Sequence, residues 1–184
     1  MECEEFDAIL EIPCEQYGML GKFFYIQKFI VGSVDYRMLF MPLVADATCA
    51  RDRLLSELGG LPENLFEVKF VLGLDFENPE GFQFATPRDL GLKPLFRRGM
   101  ERLGERLVES MVRFGEKVEC DGFVAIALDD KPKLNLYYSR LLESHEAGLN
   151  NSGYQAKCCL GGQGYALFRT RIEVPSERPA SAEA

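Results

Sequence analysis

Histidine is nearly absent from this chain, positive charge is in short supply, and no apolar run is long enough to cross a membrane. Each shortage excludes something. The single histidine, His145, has no metal-ligand company, which argues against a zinc site and leaves it a surface or structural role. With 21 Lys and Arg against 29 Asp and Glu, the net charge is -8, the wrong sign for a protein whose main partner is a phosphate backbone, so no nucleic acid is expected. The apolar runs FVAIAL (123–128) and MLFMPLV (38–44) are core-sized and fall well short of the roughly 18 residues of a membrane span, so no membrane insertion is expected. The start, MECEEFDAIL, is acidic where a secretory signal is basic. None of the six cysteines forms a Cys-x-x-Cys pair, and adjacent Cys158 and Cys159 would face opposite sides of a strand. A reduced, cytoplasmic protein without a disulfide framework is the expectation.

What is present is ordinary globular material: 184 residues, 47% hydrophobic and 27% charged. That predicts one domain over 1–175 and a disordered tail, SERPASAEA (176–184), with almost nothing to bury. Residues 6–12 read as a strand. Over 16–32 the apolar residues fit a rough helical spacing, interrupted by Gln27 and weakened by Gly18 and Gly21. Residues 36–44 read as a buried strand, and 47–58 as a helix capped by Asp46 or Thr48 and stopped by Gly59-Gly60. Phe66, Val68 and Phe70 alternate with Glu67 and Lys69, so 66–76 is a strand with one wet face. ENPEG (77–81) is turn chemistry, and 82–92 would return as an irregular strand to complete an antiparallel hairpin.

The clearest helix follows. Phe96, Met100, Leu103, Leu107, Met111, Phe114 and Val118 form one apolar stripe at the helical period. The unbroken run over 122–128 suits a central strand covered on both faces. Pro132 then opens another helix, with Asp129 or Asp130 as its cap, carrying Leu134, Tyr137, Tyr138 and Leu141 and ending before Gly148. Residues 153–159 and 164–174 make a closing hairpin around a Gly-Gly turn. The order predicts a mixed α/β fold, one mostly antiparallel sheet with helices on both faces.

Arg97 and Arg98 stand at the start of the long helix, where cations oppose the helix dipole at about 0.3–1 kcal/mol each. Both could simply be solvated. The functional alternative is an anion, for which a helix amino terminus offers free N–H groups and two guanidiniums offer charge-assisted bonds. From Lys93 to Lys117 there are seven Lys and Arg against four Glu, which fits a small anionic ligand or a solvated helix face.

Three segments resemble the GNAT superfamily of acyl-CoA-dependent N-acyltransferases. LKPLFRRGMERLGERLVESM (92–111) has the shape of the acetyl-CoA signature, with Pro94 and Arg97 on its Pro and Arg. CDGFVAIALDDKPKLNLYYSRL (120–141) is similar to the fifth strand and following helix, with Asp130, Pro132 and Tyr138 on the family's Asp-x-Pro and tyrosine. GYQAKCC and GYALFR resemble the closing hairpin. Where the family usually has Arg/Gln-x-x-Gly-x-Gly/Ala, this chain reads Arg-Arg-Gly-Met-Glu-Arg, and Lys131 stands where an asparagine is usual.

The resemblance implies a GNAT-like fold in which the fourth and fifth strands splay and the pantetheine arm lies in the gap. It implies that Leu92, Arg97, Arg98, Gly99, Met100, Glu101 and Arg102 bind the pyrophosphate of acetyl-CoA or another acyl-CoA, used as co-substrate. Tyr138 would protonate the leaving thiolate. Glu67 or Asp89, with Asp75 as a further candidate, would take the amine proton, though each also reads as a solvated strand residue. Tyr137, about 100° round the helix from Tyr138, is expected in the core. The implied activity is an acetyltransferase or other acyltransferase acting by direct attack of a small-molecule amine or peptide, bound by residues 14–60; a homodimer is compatible with it. Two alternatives stay open. One is a non-catalytic ligand-binding or interaction relative. The other is a long-chain N-acyl amino acid or acyl-lactone synthase whose acyl channel is lined by FFYIQKFIV (23–31).

Overall fold

The computed structural model describes residues 8–17, 22–43, 49–79, 81, 83–126 and 132–170. Within them a single sheet runs in the order β1-β2-β3-β4-β5-β7-β6. The strands are β1 Ile9–Pro13, β2 Phe23–Val31, β3 Val34–Pro42, β4 Leu65–Leu72, β5 Gly122–Ile126, β6 Tyr154–Cys159 and β7 Gly164–Arg169. Every neighbouring pair is antiparallel except β4 and β5, which are parallel. The helices are α1 Cys49–Leu58, the single turn α2 Gly73–Phe76, α3 Arg97–Lys117 and α4 Pro132–Asn151.

Strand side chains alternate between the two faces of the sheet. Phe40, Phe66, Phe123 and Leu167 turn toward α3 and α4, which contribute Leu103, Leu107, Met111, Phe114, Leu141 and Leu149 to the same core. Phe114 stacks on Phe40 with ring centroids 4.0 Å apart. Leu65, Val124 and Ala166 turn the other way and meet Leu54 of α1. Helices thus cover both faces, as the apolar residues on both sides of the central strands require. β5 sits between β4 and β7, and its Phe123 and Val124 are fully buried. From Leu103 to Phe114 the stripe of α3 is buried as its spacing predicts, but Phe96, read as its first member, precedes the helix and is 81% exposed; Arg106 and Arg113 pair with Glu109 on the wet side.

Four segments differ from their sequence reading. The strand read over 66–76 ends at Leu72, and Gly73–Phe76 is the helical turn α2. Phe23–Val31 is strand β2, not a helix. Tyr25, Gln27, Phe29 and Val31 oppose Phe40, Met38, Tyr36 and Val34 of β3, while Phe24 and Ile26 are buried with the core of the other face. A strand buried on both sides has apolar residues at so many positions that a helical spacing can be drawn through them. Residues 83–96 are coil and turn, so β4 has no hairpin partner there. Pro87 lacks a ladder donor, Phe84 adopts a positive φ of 53°, and Asp89 accepts from both the N–H and the hydroxyl of Thr86, closing a turn in place of a strand. α4 continues past Gly148 to Asn151, held by Leu149, which is 1% exposed. The caps Asp46, Thr48, Asp129 and Asp130, together with Lys131, the last two residues of the 122–128 run and the tail 176–184, lie outside the described residues.

Candidate functional site at the diverging strands

The parallel pair is short. Leu65, Phe66 and Glu67 face Gly122, Phe123 and Val124, and there the pairing ends. β4 continues along β3 as far as Leu72, and β5 continues along β7 as far as Ile126. Beyond Glu67 the two strands therefore part toward their shared carboxyl end, the end of an open sheet where ligands collect. α3 brings Leu107 and Met111 to this region, and α4 brings Tyr138 and Leu141.

A small apolar cavity of about 40 Å³ fills the divergence, with Val68 and Phe70 from β4, Ala125 from β5, and Tyr138 and Leu141 from α4 among its walls. Tyr138 is 8% exposed, and its ring meets Phe70 and Tyr165 edge-on. Burial pushes its phenol well above the usual tyrosine range, and Tyr137 and the Glu67 carboxylate add to the rise. Glu67 is the last residue of β4 paired to β5. The Glu67 carboxylate accepts from Lys69 Nζ at 3.2 Å, and Lys69 also borders the cavity.

Tyr137 is half-buried on the outer side of the same helix. Its hydroxyl donates to the carbonyl of Met100, in the first turn of α3, at 3.3 Å. Tyr137 and Met100 border two larger spaces. One, about 530 Å³, lies beneath the coil 84–95 and is walled mostly by apolar side chains, including Phe70, Leu72, Phe84, Leu95, Leu103 and Leu134. The other, about 810 Å³, is an open groove between α3 and α4 that carries Arg97, Glu101, Glu105, Arg140, Ser144 and His145. The helices close on each other at the groove floor, where a Cβ at Gly104 would lie 2.6 Å from Leu141 Cδ1.

At the start of α3 the flanking residue Phe96 gives no side-chain cap, so no side chain at that position fills the free amides of the first turn. Arg97 is 93% exposed at its side chain and bonds Glu101 at 3.1 Å; Arg98 and Arg102 are exposed too. Gly99 lies against Leu95, with 3.1 Å from a Cβ built there to Leu95 Cβ and Cδ2. Leu92 is half-buried in the coil and packs against the main core.

The remaining acids hold loops. Asp75 is 2% exposed and accepts from the N–H of Gln83 at 2.9 Å and of Ala85 at 3.0 Å, one bond to each oxygen. Asp89 is exposed and committed to Thr86 at 2.7 Å. Of the three proposed bases, only Glu67 stands at the divergence. FFYIQKFIV forms β2, two strands away from β4, and lines none of these three spaces. Among the described residues no three His, Cys, Asp or Glu cluster as metal ligands, and no helix is long and apolar enough to cross a membrane.

Sequence reasoning missed the apolar cavity and the place of Tyr137 on its wall. Pro87, Pro94 and the leucines between Leu90 and Leu95 signalled a coil with something to bury, but not what lay beneath it. No family model matches the chain, and neither a curated protein nor a solved structure is significantly similar to it.

Proposed function

We propose that the chain is an N-acyltransferase of the GNAT type, moving an acyl group from an acyl-CoA to an amine by direct attack. The observation that carries this reading is the end of the β4–β5 pairing after three positions, with Tyr138 on the wall of the gap and Glu67 the last paired residue of β4. Among the described residues, no strand pairs with β4 from Val68 onward on its β5 side, the kind of edge an extended amide chain can join. The residues fit such a substrate at its anionic end also, for the uncapped first turn of α3 lies next to Arg97 and Arg98.

In this reading the amine nitrogen forms a bond to the thioester carbon and the carbon–sulfur bond breaks. Tyr138, kept protonated by its burial, gives its proton to the departing sulfur. Glu67, whose carboxylate lies 3.2 Å from Lys69 Nζ, accepts the proton that the amine loses. A non-catalytic relative is the second reading, favoured by Met100 and Arg102 in the first two turns of α3, where small residues would open the amides to phosphate.

Thermal unfolding with CoA and acetyl-CoA tests the binding step. A ligand at a hundred times its Kd stabilises by about 2.7 kcal/mol, which for a domain of this size raises Tm by roughly 5–10 °C. No shift with either ligand at millimolar concentration would overturn the proposal. Given binding, Tyr138→Phe should lower turnover on a panel of amines roughly 10²-fold or more, with little change in Tm. Binding without turnover on any amine would select the non-catalytic relative.

A further inference from the structure

The 530 Å³ cavity lies within the roughly 300–1,000 Å³ range of small-molecule sites. Of its three hydroxyl-bearing side chains, Thr86 is committed to Asp89 and Tyr137 to the Met100 carbonyl, which leaves Tyr36. The rest of the lining side chains are apolar, so the cavity discriminates mainly by shape and apolar surface. It nevertheless meets a charged surface. Met100 and Tyr137 border both this cavity and the α3–α4 groove that carries Arg97 and Arg140. On another side Phe70 borders both this cavity and the small one that holds Tyr138. The groove itself balances Arg97 and Arg140 against Glu101 and Glu105, but Met100 of the cavity wall belongs to the start of α3, where Arg98 and Arg102 are exposed. An apolar chamber bordered by that helix start on one side and by the diverging strands on another suits an amphipathic molecule with an anionic head.

We infer that this cavity is a site for the unbranched hydrocarbon chain of an amphipathic substrate, whose anionic head lies at the start of α3. The proposal deepens the acyl-transfer reading and rests on it only for the identity of the head, a CoA thioester. The substrate class is then a medium-chain acyl-CoA, with acetyl-CoA as a poor relative of it.

The test is a calorimetric series of acetyl-, butyryl-, hexanoyl-, octanoyl- and decanoyl-CoA, with free decanoate as a head-group control. Burial of a chain methylene in an apolar site should tighten binding up to about fourfold per carbon. Ala85→Trp and Leu134→Trp fill the cavity from different elements, the coil and α4. Either variant that melts near wild type should flatten the series while leaving acetyl-CoA affinity within about twofold. A flat series in the wild-type protein, with acetyl-CoA bound, overturns the hydrocarbon site and leaves the acyl-transfer reading standing. Decanoate binding that either Trp variant abolishes, with no acyl-CoA bound, upholds the hydrocarbon site and overturns the CoA reading. Binding of neither class overturns both.

Discussion

The two halves of β4 live in different surroundings. Leu65–Glu67 are bonded to β3 or its extension on one side and to β5 on the other, whereas among the described residues Val68–Leu72 pair with β3 alone. The first half is covered by Phe123 on one face and Val124 on the other, both essentially without exposure. The second half faces two cavities and a coil held down by Asp75. An unpaired strand edge is a standing cost in a folded protein. The difference shows where stability was concentrated and where backbone and space were left for a ligand.

The comparison can be broken hardest from the paired half. Val124→Asp puts a charge at a fully buried central position with no described cation facing it, and the loss should exceed about 4 kcal/mol, enough to abolish cooperative folding. A soluble variant with a wild-type urea midpoint would show that β5 is not central. Gly122→Ala comes next, because a Cβ there would stand 2.5 Å from the Leu167 carbonyl, a backbone atom that cannot step aside. A loss of about 1–3 kcal/mol in equilibrium denaturation is expected.

In the open half the effects should be smaller and should reach the ligand. Asp75→Asn leaves one acceptor oxygen for two N–H donors and sets an amide N–H against the other, costing about 1–2 kcal/mol. Hydrogen exchange should quicken at Gln83 and Ala85 and stay unchanged in β5, and decanoyl-CoA should bind more weakly. Equal changes in both regions would erase the distinction between the halves. The smallest effect belongs to Gly99→Ala. Its would-be neighbour is the flexible Leu95 side chain, and alanine favours helix by up to about 0.5–1 kcal/mol. A Tm unchanged or slightly raised is expected, and a fall of several degrees would mean that Leu95 cannot give way.

Local periodicity carried much of this fold. The 3.6-residue stripe from Leu103 to Phe114, the unbroken run at β5 and the alternation in β4 each reflect one element meeting a core, and a stretch of sequence records that directly. β2 defeated the same reasoning, because burial on both faces removes the alternation that marks a strand.

The site was less legible. The sequence by itself determined its ingredients: a strand with Glu67, two adjacent tyrosines on a helix, arginines at a helix start, and a proline-rich coil. Only the tertiary structure decided that β4 and β5 separate after Glu67, that Tyr138 turns into the gap while Tyr137 reaches the Met100 carbonyl, and that Asp75 and Asp89 fasten loops. The physical reason is that strand pairing and cavity walls join residues far apart in the chain. Which edge is left unpaired, and which side chain fills the space beside it, depends on how all the elements share one volume.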